Sequence, residues 1–520
     1  MKMGSSETQV LVESLPSDSS EEQFLAYEDE KIQHLVPDTR PRPSFLSIIQ
    51  EPFLWLRMLC KQLNTSFVFG VFLVYGFSQG FSWSFFRVVS DYYWKDVQKV
   101  QPSAVQLYIG LYYIPWVMKP IWGLLTDVFP VRGYRRRPYF ILAGVVGVVS
   151  ALTISFHGNL SALVALVCLI GITAGVAIAN VTIDACIARN SIEMPSLAPD
   201  LQSLCGFCTS VGALIGYSTS GMFVHQLGAQ GSLGLLAIPS ALLVLLGFVI
   251  YELRSSMRSE KKAALEKVGG AINGMYRTMK IPQVWKPSVY MYLSLALSIS
   301  THEGQFYWYT NPKAGPAFSQ EFVGMIYAIG AMASIVGVLI YHKILKDYPF
   351  RTLIFYAQLL YAATGMLDVI FILRWNLKLG IPDYFFVVLE ECVSRIVSRI
   401  RWMPMIVLST KLCPLGIEGT FFALLMCIDS LGSLSSKWGG GMILQMFHVT
   451  RTDFTNLWLV LFIRNMLRFA TLSFIFLVPK ADQSDILIPS DLLMRAQAAP
   501  TLNTEEEGLK LVSMNEKFEA

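Results

Sequence analysis

The sequence predicts an all-α membrane protein of twelve transmembrane helices in two six-helix halves. Three observations carry this. Of 520 residues, 53% are apolar and only 15% charged, with a mean hydropathy of +0.49; a typical soluble chain carries roughly 25% charged residues. Apolar runs then follow one another near 67–89, 104–125, 139–157, 160–186, 201–224 and 232–252, and after a polar stretch near 287–309, 322–342, 352–373, 383–409, 417–446 and 455–479. In lipid such runs must be helical, because a helix satisfies its own backbone. Finally, the loops after even-numbered runs hold 17 Lys/Arg and those after odd-numbered runs hold 6. That bias predicts a cytosolic face for the even loops and for both termini.

The chain divides accordingly. Residues 1–66 are expected to be a disordered acidic cytosolic segment, since the first 40 hold nine acids against Lys2, Lys31 and Arg40. Transit peptides are poor in acids, so plastid targeting is not expected, and the plasma membrane or an endomembrane is. Residues 67–253 form the first half and 287–479 the second, as a duplicated six-helix unit would. Between them, 254–286 is a basic cytosolic linker, and 480–520 is a polar cytosolic tail.

Composition also excludes function classes. A net charge of +4 does not suggest a nucleic-acid partner. The eight Cys lie nearly all in apolar runs, and Cys205-x2-Cys208 has no second pair, so neither a disulfide framework nor a metal site is expected. There is no nucleophile elbow, phosphate-binding glycine loop or metal-ligand His pair, which argues against an enzyme and against a cofactor. The expected partners are a bilayer and a small molecule, with the chain as a monomer.

Charges inside apolar runs cost about 2.5–3.5 kcal/mol each at a helix centre, so those present are informative. They are Arg87, Lys119, Asp184, Glu303 beside His302, the set Glu390, Glu391, Arg395, Arg399 and Arg401, then Asp429, Lys437, Arg464 and Arg468. Glu391, Arg395 and Arg399 are spaced i, i+4, i+8 and share one helical stripe. They form either an internal ion pair or the polar face of a water-filled cavity; three Arg against two Glu favour the cavity. For Arg464 and Arg468 a structural bridge to Asp429 or Asp368 is the simpler expectation. Gly171-x3-Gly175 and Gly212-x3-Gly216 are small-residue pairs, and Gly439-Gly440-Gly441 is expected to interrupt the eleventh run; all three read as packing or hinge features.

Gly123-x3-Asp127 followed by Gly133, Arg135, Arg136 and Arg137 resembles the loop between helices 2 and 3 of major facilitator transporters. The resemblance implies a conformational gate at these residues. Here three extra residues separate Asp127 from the Gly-Arg part.

Longer blocks resemble one family. They are Tyr75-Gly76-Phe77-Ser78-Gln79-Gly80 through Tyr93-Trp94-Lys95-Asp96, Pro115-Trp116-Val117-Met118-Lys119-Pro120, Leu201-Gln202-Ser203-Leu204-Cys205, and Met403-Pro404 through Lys411-Leu412-Cys413-Pro414 into Gly416-Ile417-Glu418-Gly419-Thr420. Over about residues 60–480 the chain is similar to the folate–biopterin transporter family of the major facilitator superfamily, in the form of a plant-like member. That implies the major facilitator fold and transport of folates, biopterin or related pterins, commonly by proton symport. One departure is Asn180 in Asn180-Val181-Thr182-Ile183-Asp184-Ala185, where the family usually has an acid; another is Glu390-Glu391-Cys392, where it tends to Gly-Asp-Ser.

The resemblance makes a secondary transporter the leading expectation, with a different organic anion, or a non-transporting sensor or scaffold, as the alternatives. It places substrate contacts on the first and fourth helices of each half, nominating Gln79, Arg87, Asp184, Glu303, Glu391, Arg395 and Arg399. Arg suits a folate's carboxylates, and Trp83, Phe306 and Trp308 are candidates to stack its ring. Asp184, and after it Glu391, is the expected carrier of a coupling proton, because Arg395 opposes protonation of Glu391.

Overall fold

The computed structural model describes residues 45–483, apart from 159, 195–196, 253–268, 270–272, 274–275 and 413–417. Among these the backbone is almost wholly helical, and extended pairing is limited to an isolated bridge between Val131 and Tyr134. A first compact unit ends at Leu63 and a second begins at Asn64. The first contains the helix Phe45–Gln62, which amends the expectation of a disordered segment over 1–66. The acidic, Ser-rich composition ends near residue 40, and the apolar residues that follow can fold as a helix. The remainder of the acidic segment lies outside the described residues, as does most of the basic linker.

Each predicted apolar run of the second unit is built on helix. Six stretches are long and apolar enough to cross a membrane as they stand: Arg137–Phe156, Ala162–Asn190, Asp200–Val249, Gln320–Leu345, Phe350–Ile372 and Leu457–Leu477. The 50-residue stretch Asp200–Val249 is interrupted at Gly228, whose φ of 70° is left-handed. The fifth and sixth runs fall on either side of it, because only Gly adopts that backbone without strain. The tenth run is a continuous helix, Asp383–Lys411, despite its five charges between Glu390 and Arg401. Along these helices Phe156, Leu163 and Phe248 are among many large apolar side chains left exposed, as a lipid-facing surface requires.

Two local expectations are corrected. The triple glycine does not interrupt the eleventh run: Glu418–Met446 is one helix. Its glycines serve close approach, since a Cβ on Gly440 would strike the Ser300 carbonyl oxygen and one on Gly441 would lie 2.8 Å from the Ser103 carbonyl oxygen. The seventh run, in contrast, is broken. Pro282–Ala296 stops, and His302–Tyr309 starts afresh after residues 297–301. Ser298, Ser300 and Thr301 lie in this break, and such hydroxyl residues compete for the backbone bonds a helix needs. The eleventh helix supplies the missing partners: Ser300 N–H donates to the Ser436 carbonyl (3.2 Å), and Ser436 Oγ donates to the Ser298 carbonyl (2.8 Å).

The first run is also unusual. Thr65–Val71 and Trp83–Tyr92 flank eleven π-helical residues, Phe72–Ser82. This wide turn lies against the fifth helix, where a Cβ on Gly212 would meet the Gly76 carbonyl oxygen. Gly175 likewise sits on the Ala143 carbonyl, at 2.7 Å for an added Cβ. The small-residue pairs are therefore packing contacts, as their spacing predicted. The largest apolar core joins Phe85, Tyr92, Trp94 and Tyr112 of the first two runs to Phe306, Tyr307 and Trp308 of the seventh.

Candidate functional site

Helical spacing and the π-helical turn place a polar chain among the first, second and fourth runs. Lys119 Nζ donates to Asn180 Oδ1 (2.7 Å), and Asn180 Nδ2 donates to Gln79 Oε1 (2.9 Å). Tyr75 Oη donates to Asp184 Oδ1 in a short hydrogen bond. Gln79 and Asp184 thus come together with Lys119, as neighbours of Asn180, one helical turn before Asp184. Lys119 also lies 4.6 Å from the Trp116 ring centroid.

A second polar group lies between the first and seventh runs. His302 Nε2 is 3.0 Å from Asp91 Oδ2. Glu303 is fully buried: its backbone N–H donates to Gln106 Oε1 (3.1 Å), but among the described residues neither carboxyl oxygen has a hydrogen-bond partner. Asp91 and His302 face a cavity of about 30 Å³, which Trp83, Arg87, Tyr113 and Lys437 also line. Glu303 lies behind that wall. Lys437 Nζ donates to Ser300 Oγ (2.9 Å).

Arg87, on the cavity wall, and Arg395 approach one ring from different runs, at 6.0 and 5.9 Å from the Tyr327 centroid. Arg395 Nε donates to Glu391 Oε1 (2.6 Å), so the sequence-predicted pair exists. The Arg87 guanidinium forms no hydrogen bond or ion pair among the described residues; Arg399 lies over Trp402 at 5.2 Å. Trp83 is half-buried at the cavity, edge-on to Trp116. Phe306 and Trp308 are instead buried in the core, and Arg374 covers Trp308. A third group surrounds Tyr361, with Arg401 and Arg468 at 4.4 and 4.2 Å from its ring centroid. Arg464 pairs with Asp368, one of the two bridges expected.

Several hydrogen bonds join residues 67–253 to residues 287–479 at one end of the molecule. Besides Asp91–His302 and Gln106–Glu303, Tyr307 Oη donates to the Val100 carbonyl (3.0 Å) and Arg451 to the Lys95 carbonyl (2.8 Å). Outside the apolar run, burial lowers the proton affinity of the Lys95 ammonium and raises that of the Asp96 carboxyl. At the loop after the second run, the backbone N–H groups of Arg135 (2.6 Å), Arg136 and Arg137 converge on the Glu252 carboxylate. Arg136 donates to Thr126 Oγ1 (2.7 Å), and Arg137 to the Ile250 carbonyl (2.8 Å). Gly123 faces Val181, and the Asp127 side chain lies outside the described residues.

Comparison with known proteins now decides the family. The profile of the BT1 family matches residues 79–493. The chain belongs to the BT1 family. A BT1 relative, the probable folate-biopterin transporter 6 of Arabidopsis thaliana, is 64% identical over 459 residues, covering 88% of this chain and 91% of the relative. The folate-biopterin transporter of Synechocystis is 30% identical over 401 residues, covering 76% and 78%. Among solved structures, the nucleoside transporter NupG superposes with a TM-score of 0.59 at 13% identity, covering 79% of this chain and 99% of NupG. This BT1 chain is therefore an integral membrane protein of the major facilitator fold in a family of transporters, and not an enzyme.

Sequence reasoning about this BT1 chain missed Asp91, Gln106, Tyr75 and Glu252. Asp91 left a signal, standing four residues after Arg87 on the same helical face. Gln106, Tyr75 and Glu252 left none, because their roles depend on partners from distant helices.

Proposed function

We propose that this protein moves a folate- or pterin-type organic anion across a membrane by alternating access, coupled to a proton gradient. The observation that carries the reading is the Arg87 guanidinium, unpaired among the described residues at the edge of a cavity that both sets of helices line. An unpaired guanidinium at that depth is costly unless an anion joins it, and its planar fork suits a carboxylate. Arg395, on the other side of Tyr327, offers a second such group once Glu391 releases it. Trp83 supplies an aromatic face for a flat ring. The relatives' names point to the same substrate class.

With the even loops cytosolic, the end sealed by Tyr307, Arg451 and the aromatic core faces outward, and Gly123, Asp127 and Arg135–Arg137 lie on the inner side as a conformational gate. The acidic first segment favours the plasma membrane or an endomembrane. The test is uptake of labelled folate and biopterin by proteoliposomes, with and without an inward proton gradient. Gradient-stimulated uptake is the expected result, and no uptake of either compound overturns the reading. Asn180, engaged on both sides by Lys119 and Gln79, favours a second reading in which another organic anion is carried; competition by a panel of anions separates the two.

A further inference from the structure

Of the three carboxyls that the sequence nominates for substrate contact, two are already engaged. Asp184 accepts from Tyr75, and Glu391 accepts from Arg395. Glu303 is the exception. It is fully buried, and both of its oxygens lack a hydrogen-bond partner among the described residues. One of those oxygens lies 4.0 Å from His302 Nε2, and the ligand atoms of Asp91, His302 and Glu303 all fall within 4.8 Å of one another. Two carboxyls this close, shut away from water, are accommodated when they hold one proton between them.

The surroundings favour a proton over a metal cation. Arg87 and Asp91 project from the first run, with Tyr92 next to them and Lys95 and Asp96 just beyond. Tyr112 and Tyr113 follow the second run's Gln106. The eighth run brings Tyr327 and the eleventh brings Lys437. Tyr307 and Tyr309 share the half-helix of Glu303, while Arg451 and Arg395 stand further out. Arg87 and Lys437 line the same cavity, and their positive charge opposes a divalent ion more than it opposes a single proton shared by the two carboxyls.

We propose that Asp91, His302 and Glu303 form the binding site of the coupling proton. The proposal rests on the transport reading above and names its proton carrier. Asp91 comes from the first run, and His302 and Glu303 come from the re-started seventh. In the arrangement described here the two carboxyls share the proton and His302 bridges to Asp91. When the first and seventh runs separate, outer water reaches the pair, and a proton must bind there before the runs can close again. With the runs closed, an O–H bond of the shared carboxyl breaks and the proton passes through the cavity to water on the inner side, so transport and proton movement are linked through the same contact.

Infrared difference spectroscopy between acid and alkaline pH tests the site without any substrate. The full-length protein is expected to show a protonated-carboxyl C=O band that disappears in Glu303→Gln and shifts in Asp91→Asn. In proteoliposomes that transport, Glu303→Gln is expected to lose gradient-driven accumulation and to exchange substrate with no dependence on pH. Either of two results in the variants overturns the proposal: an unchanged carboxyl band in both, or undiminished gradient-driven accumulation in Glu303→Gln. A stoichiometric bound metal whose removal by chelator abolishes the pH dependence of the wild-type protein also overturns it. If no pterin or folate is transported but the band behaves as stated, the substrate reading fails and the proton site stands. Should Glu303→Gln not fold, the Asp91→Asn band shift decides alone.

Discussion

The two sets of helices handle buried charge differently. In residues 67–253 the ammonium of Lys119 and the carboxylate of Asp184 are held by neutral partners, Asn180 and Tyr75. In residues 287–479 three guanidiniums, those of Arg401, Arg464 and Arg468, gather near Tyr361, and Asp368 pairs with Arg464. Arg401 Nη1 is held by neutral groups, donating to the Ser294 carbonyl (3.2 Å), Ser298 Oγ (3.1 Å) and Gln358 Oε1 (3.0 Å). The first arrangement keeps polarity without excess charge. The second keeps an excess of positive charge, stabilised by carbonyls, hydroxyls and a ring face.

Removing one partner of the ion pair is the most severe way to break this contrast. Asp368→Asn should destabilise the protein by about 3–5 kcal/mol, because Arg464 is left buried and unpaired. The unfolding temperature in detergent checks this, and Asp368→Asn combined with Arg464→Gln should recover much of the loss. No comparable loss is expected from Asn180→Ala on the other side, where neutral bonds are at stake.

The next effect falls on transport. Arg395→Lys keeps the charge but loses the planar fork, and uptake should drop about tenfold, the equivalent of one charge-assisted hydrogen bond. If the pair with Glu391 serves only to neutralise charge, the double variant Glu391→Gln/Arg395→Gln will instead transport nearly normally. That outcome would remove Arg395 from the substrate path.

Asn180→Asp sharpens the comparison from the other side by placing a second carboxylate beside Lys119, one helical turn before Asp184. A carboxylate cannot donate to Gln79, so Gln79 must turn its amide, and Lys119 gains a charged partner. Folate uptake in this variant is the measurement: a gain supports redirected specificity, and stability should change by about 1 kcal/mol or less. The smallest effect is at the loop after the second run. Glu252→Gln weakens the anionic cap on the Arg137–Phe156 helix and should cost about 1 kcal/mol, read as a small fall in unfolding temperature.

Much of this was legible in the chain alone. Hydropathy located the helical regions of the second unit's apolar runs but not the helix Phe45–Gln62, because burial in lipid selects long apolar runs. Periodicity paired Glu391 with Arg395, since residues four apart on a helix must meet. It also found the small-residue contacts and narrowed Arg464 to two partners, of which the structure uses Asp368. Where local chemistry competed with hydropathy, the reading from sequence was less complete. The break at 297–301 looked like continuous helix, and the triple glycine looked like a break.

The sequence by itself therefore determined the elements, their approximate order in a membrane, and the set of charges that had to be explained. Only the tertiary structure decided which charges meet. Asp91 and His302 stand 211 residues apart, and Gln106 and Glu303 stand 197 apart. No helical period connects such positions. Their meeting depends on how far one helix slides and rotates against another, and that register is set by backbone contacts such as Gly440 on Ser300 and Gly212 on Gly76. A glycine reveals that two helices can approach closely, but its partner and the side chains brought together beside it emerge only once both helices are in place.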